Sequence, residues 1–230
     1  MIFKLTAVAC SLFLLGVGMT AALKAPKAPQ DSTDKSIASI AQRAKSQGKT
    51  HVSAPGKIID YPGMNIGLDE AFKNYSVVIA QPIESKSYIA ESSDEINTAY
   101  KFRILEALSQ RHVVSCSTCA PVIDVSDKLQ PALYNEFILD LSGGTITVDG
   151  VEVTMVSDGT LKIENGQRYL MFISFTPGGM ASLIGGPSGF FRITSDESLE
   201  AMGDGKHRLA VEIAARFSKN LAKFKQATKR

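Results

Sequence analysis

The stretch Thr145–Val156, TITVDGVEVTMV, sets the class of fold. Two runs rich in β-branched residues, Thr145–Val148 and Val151–Val156, flank Asp149-Gly150. A two-residue Asp-Gly link between such runs predicts a hairpin with a type I′ turn, because that turn needs positive φ at both central residues. Further strands follow outward from it. Upstream, Glu136–Leu141 (EFILDL) reads as a strand, and Ser76–Ala80 (SVVIA) starts another that runs on toward Ile89. Polar residues 91–95 (ESSDE) then make a turn. Tyr100, Phe102 and Ile104 alternate with Lys101 and Arg103, the period of two of a half-buried strand. Leu105 breaks the alternation, so the strand either bulges there or becomes buried on both faces. Downstream, Arg168–Phe175 (RYLMFISF) is long and apolar enough for a central strand. Met180–Ile184 and Phe190–Thr194 are two short runs separated by Gly185-Gly186-Pro187-Ser188-Gly189.

Helices are expected at the ends. Ile37, Ile40, Ala41 and Ala44 fall at helical spacing, and Gly67–Asn74 reads as a two-turn helix with acids in its first turn. From about His207 to Gln226, Leu209, Ile213, Phe217, Leu221 and Phe224 form one apolar stripe, which most simply packs on the body; a membrane surface or a partner groove is the alternative. The pattern as a whole is an all-β barrel or sandwich with helical additions.

The chain of 230 residues divides by composition. Residues 1–22 have a basic start, an apolar middle and small residues Thr20-Ala21-Ala22, the layout of a signal peptide cut after Ala22. Leu5–Leu23 is 19 uncharged residues, so an uncleaved membrane anchor is the rival. Cys10 lies inside the apolar run, not after it as a lipidated cysteine would. Residues 23–60 read as a basic linker with a possible short helix, 61–200 as the β-barrel domain and 201–230 as a basic amphipathic helix. The expected location is therefore exported, periplasmic or extracellular, with membrane anchoring if the signal stays uncut.

Charge is uneven. Residues 206–230 carry +7 and 24–50 carry +4, while 51–205 carry −10. Solubility and a solvated helix face explain this most simply. The functional alternative is contact of the tails with an anionic membrane surface or another envelope component, for which Arg216, Lys219, Lys223 and Lys225 are the candidate residues. An acidic body on an exported chain argues against nucleic acid.

Cys116-Ser117-Thr118-Cys119 is the sharpest local motif. In an oxidising compartment an even pair of cysteines favours a disulfide. A redox centre, with Cys116 as nucleophile and Cys119 as resolving thiol, would need a helix start at the first cysteine. Zinc would need four ligands, and only His112 is near in sequence. Haem attachment would need histidine where Ala120 stands. Other candidates are weaker. The glycine run at 185–189 lacks Gly-Lys-Ser/Thr, and Ser188 is one residue out of register for a nucleophile elbow, so tight turns explain it best. His51, His112 and His207 form no ligand pair. Asn74-Tyr75-Ser76 is a glycosylation sequon, relevant only in a eukaryotic source. No cofactor is implied, and the leading expectation is a non-catalytic module that binds an unknown protein or envelope component.

The stretches YSVVIAQPIESKSYI (75–89), AYKFRILEAL (99–108) and GQRYLMFISF (166–175) together resemble the skeleton of small secreted OB-like barrels. Netrin and tissue-inhibitor-of-metalloproteinase modules have it, as do uncharacterised bacterial exported proteins. The resemblance spans Tyr75–Ile193, about half the chain, and implies an OB-like antiparallel barrel and a secreted binding role. Metalloproteinase inhibitors of that type bind metal through a cysteine at the mature N-terminus. No cysteine stands there in this chain, so that mechanism does not carry over.

Overall fold

Asp149 and Gly150 both adopt left-handed backbone, with φ of 51° and 81°, and close the hairpin of β5 (Gly144–Val148) and β6 (Val151–Val156). This is the I′ turn that Asp-Gly was expected to form. The computed structural model describes residues 35–56, 61, 63, 65–109, 135–157, 161–175 and 180–228. The rest of the architecture is mainly β, in two sheets with helices at the periphery.

The larger sheet closes on itself. β2 (Ser76–Ile89) pairs with β3 (Ile96–Ser109), β3 with β4 (Glu136–Ser142), β4 with β8 (Met180–Leu183), β8 with β7 (Tyr169–Phe175), and β7 with β2. Within this ring of five only β4 and β8 run parallel. Three meandering strands, then a fifth strand inserted parallel beside the third, is the strand order of an OB-like barrel. β9 (Phe190–Ile193) and β10 (Leu199–Ala201) extend the sheet from the β7 side.

β2 and β7 read as continuous apolar runs because both their faces are buried. Val78, Ala80, Tyr169, Met171 and Ile173 point into the barrel. Val77, Ile79, Leu170 and Phe172 point out, under the helices. Inside, Phe102 stacks on Phe137 with ring centroids 5.3 Å apart and meets Tyr169 and Phe190 edge-on. The barrel therefore holds a packed aromatic core. Leu105 is the residue that breaks the alternation, and the ladder bulges at it: Ile79 opposes Glu106 while Ala80 opposes Ile104. The bulge leaves Leu105 47% exposed. At the glycine run, Gly186–Gly189 forms a 3-10 turn, and a Cβ on Gly189 would lie 1.8 Å from the Ile184 carbonyl oxygen. The turn expected there is thus possible only with glycine.

The smaller sheet has the order β1-β6-β5, with β1 (His51–Pro55) parallel to β6. Helix α1 (Ile37–Ser46) buries Ile37, Ala41 and Ala44 against it, on the core that also holds Ile96, Val153 and Met155. The helix matches the spacing seen in the sequence. The short helix foreseen within residues 23–60 is α1, and His51–Pro55, read as linker, is a hydrogen-bonded strand. A strand of five residues that buries only Ala54 leaves almost no apolar pattern to read.

Candidate functional site

The C-terminal segment gives the protein its most distinctive surface. The stripe Leu209, Ile213, Phe217, Leu221 and Phe224 is buried against the outer faces of β2, β7 and β9. It packs on the body as the simplest reading held, and so the stripe is not available to a membrane. Among the described residues no helix is long and apolar enough to cross one.

The segment was expected to be one helix and is two: α3 (Arg208–Phe217) and α4 (Leu221–Thr228). Ser218 and Lys219 break it with φ of 53° and 58°. The Ser218 amide caps α3 by donating to the Ala214 carbonyl at 3.0 Å, and the Asn220 side chain accepts from Lys223 N–H at 3.0 Å to start α4. The corner is stitched to the approach of β10. Leu199 N–H donates to the Lys219 carbonyl at 2.7 Å, and Leu221 N–H donates to the Glu197 carbonyl at 3.0 Å. Because the break spans three residues, the apolar stripe keeps its phase, which is why the sequence read as one helix.

One flank of α3 is a polar clamp onto α2 (Leu68–Asn74). Glu212 Oε2 accepts the Leu68 N–H at 2.7 Å, and Arg208 donates to Glu212 Oε1 at 2.7 Å. These contacts, the Leu68 amide first and Arg208 second, hold the Glu212 carboxyl below the usual carboxylate range. Arg216 reaches Asp69 at 2.6 Å.

The other flank of α3 faces an open groove of about 490 Å³. Val211, Ala214 and Ala215 form one wall; Phe191, Leu199 and Ala201, from β9 and β10, form the other. Lys219 is the only charged residue of the lining. Val211 stands 49% exposed in it, although it belongs to a helix that is otherwise well packed. An apolar groove with one charged group in its lining has the chemistry of a small-molecule or segment-binding site.

The four candidate cations therefore differ. Arg216 is held by Asp69 and lies over the Phe217 ring at 5.6 Å. Lys225 pairs with Glu106 of β3. Lys219 and Lys223 are exposed and have no ion pair among the described residues. Two of the four are thus ion-paired within the protein, and two are not paired among the described residues. Sequence reasoning passed over Val211, Ala214 and Ala215; their signal was a second set of apolar residues at spacings of three and four, off the main stripe.

The remaining candidates fall as follows. Cys116, Cys119 and His112 lie outside the described residues. Ser188 is 2% exposed, and its hydroxyl has no hydrogen-bond partner among them. His51 sits in β1 beside Glu152 at 3.0 Å, and His207 precedes α3 with Asp204 at 3.7 Å. Among the described residues no group of three or more His, Cys, Asp or Glu is placed to hold a metal. One polar cluster had no sequence signal. Tyr88 donates to Asp140, and Ser142 donates to Glu95 at 2.6 Å, where the β2–β3 hairpin meets the small sheet. Burial first, then Asp140, pushes the Tyr88 phenol well above its ordinary pKa, which suits a structural joint. Compared with known proteins, the chain matches no protein-family model and no curated sequence.

Proposed function

We propose that the protein is an exported, non-catalytic binding module that takes its ligand in the groove along α3. The observation carrying this reading is a contrast between inside and outside. The barrel interior is filled by stacked aromatic rings, while an apolar groove beside it is left open with Val211 half-exposed. The basic start and apolar run of residues 1–22 support export, and the OB-like strand order supports kinship with secreted modules of that architecture. The exposed Lys219 and Lys223 favour an anionic ligand or an anionic envelope component.

The test is titration of the full chain with the anionic apolar dye anilinonaphthalenesulfonate. One saturable site is expected, weakened about tenfold or more by Val211→Asp, which puts a carboxylate into the groove. The melting curve of that variant should stay close to wild type, because Val211 is surface-exposed. Dye binding that does not saturate, or that Val211→Asp leaves unchanged, overturns the groove as the binding site.

A further inference from the structure

We propose that the α3 groove holds the alkyl chain of a monomeric fatty-acid-like carboxylate, with Lys219 pairing its anionic end; the proposal rests on the groove being the binding site. Apart from Lys219, no side chain of the lining carries a hydrogen-bond donor or acceptor. The floor and walls therefore offer side-chain contacts that are almost wholly apolar, and an alkyl chain is the ligand that matches them along its whole length. Ala201, Ala214 and Ala215 keep the walls low, so a thin chain can lie close to the helix and strand backbones. The volume, about 490 Å³, falls in the range of small-ligand sites.

Charge fixes the nature of the head group. The acids nearest the groove in sequence are already engaged. Glu197 holds Arg168, Glu200 accepts from Arg192 Nε at 3.1 Å, and Asp204 accepts the Lys206 amide at 2.9 Å. Lys219 has no carboxylate partner among the described residues. Its backbone is pinned by the 2.7 Å bond from Leu199 N–H, so the ammonium extends from a fixed root. A ligand carboxylate is the complement that Lys219 lacks.

The experiment is displacement of anilinonaphthalenesulfonate from the full chain by decanoate and by decanol, both below their aggregation thresholds. The expected result is displacement by both, with decanoate about fivefold tighter than decanol, an ordinary contribution for a partly exposed ion pair. Lys219→Gln, which keeps a side chain at the same backbone position, is expected to bring the two affinities together. Equal affinities in wild type, or a decanoate preference that survives Lys219→Gln, overturn the role of Lys219. If neither ligand displaces the dye while Val211→Asp still abolishes dye binding, the alkyl-chain inference fails and the groove remains a site. If the dye itself is insensitive to Val211→Asp, the underlying reading fails. Binding to anionic phosphatidylglycerol vesicles without displacement by monomeric decanoate also overturns the proposal and assigns the surface to membranes.

Discussion

Replacing Lys219 by glycine should make the protein more stable. Lys219 and Ser218 are consecutive non-glycine residues in the left-handed region, at φ of 58° and 53°. That conformation costs an L-residue about 1–2 kcal/mol, because Cβ crowds the following carbonyl. Glycine removes the crowding but adds about 0.5–1 kcal/mol of unfolded-state entropy. The expected net gain for Lys219→Gly therefore lies between about 0 and 1.5 kcal/mol, or a rise in melting temperature of up to about 6 °C for a chain of this size. The bond from Leu199 is made to the Lys219 carbonyl, so the substitution leaves it in place. Ser218→Gly should give a similar gain, since the capping bond there uses the backbone amide. Urea unfolding of the full chain, followed by circular dichroism, gives the midpoint and slope for each variant. A lower midpoint for Lys219→Gly with a higher one for Ser218→Gly would show that the lysine side chain supports the fold. A lower midpoint for both would refute the assignment of strain to this corner.

Two further outcomes test the packing. Ile37→Ala should cost about 2–4 kcal/mol, because Ile37 is fully buried under the small sheet; a change below about 0.5 kcal/mol in the denaturation midpoint would return α1 to linker status. Glu212 is depressed in the folded state, so its contribution is present above the ordinary glutamate value of about 4.3 and is lost as pH falls through the folded value. Glu212→Gln should therefore cost at most about 1 kcal/mol at pH 7 and shrink the stability difference between pH 7 and pH 3; an unchanged difference, measured by thermal melts, would rule the clamp out.

The sequence was most readable where one physical rule acts alone. Asp149-Gly150 fixes a turn by backbone sterics, and the arrangement around it followed. Leu105 breaks a period of two, and a bulge is one of two ways to absorb that; the ladder chose it. The stripe from Leu209 to Phe224 named the helical residues that seal the outer core, every one of them buried. Where rules compete, less could be read. β1 is an edge strand stabilised by pairing with β6, and its only buried residue is Ala54, so neither propensity nor periodicity marks it. The break at Ser218-Lys219 carries no glycine or proline and keeps the stripe in phase. The groove was hidden for a related reason. It is made by a secondary apolar set on α3 and by β9 and β10, which precede α3 closely in the chain, and only the fold-back of α3 onto them brings the two walls together. The pairing of Arg216 with Asp69 and of Lys225 with Glu106 joins residues more than a hundred positions apart, so the charge of the tail overstated how much of it is unpaired.

The position of α3 and α4 after all ten of the described strands has a consequence for how the protein is made. The outward side chains of β2, β7 and β9 are covered by Leu209, Ile213, Phe217, Leu221 and Phe224. During synthesis those strands emerge first, and their apolar outer face stays uncovered until the helices arrive. The barrel also cannot close before residue 180 pairs with residue 138. Both events join distant parts of the chain and are slow to form. A nascent chain thus stays open through most of its own translation, in a form that chaperones can engage. A chain that stops short of Leu209 leaves the outer apolar face of β2, β7 and β9 without its helical cover.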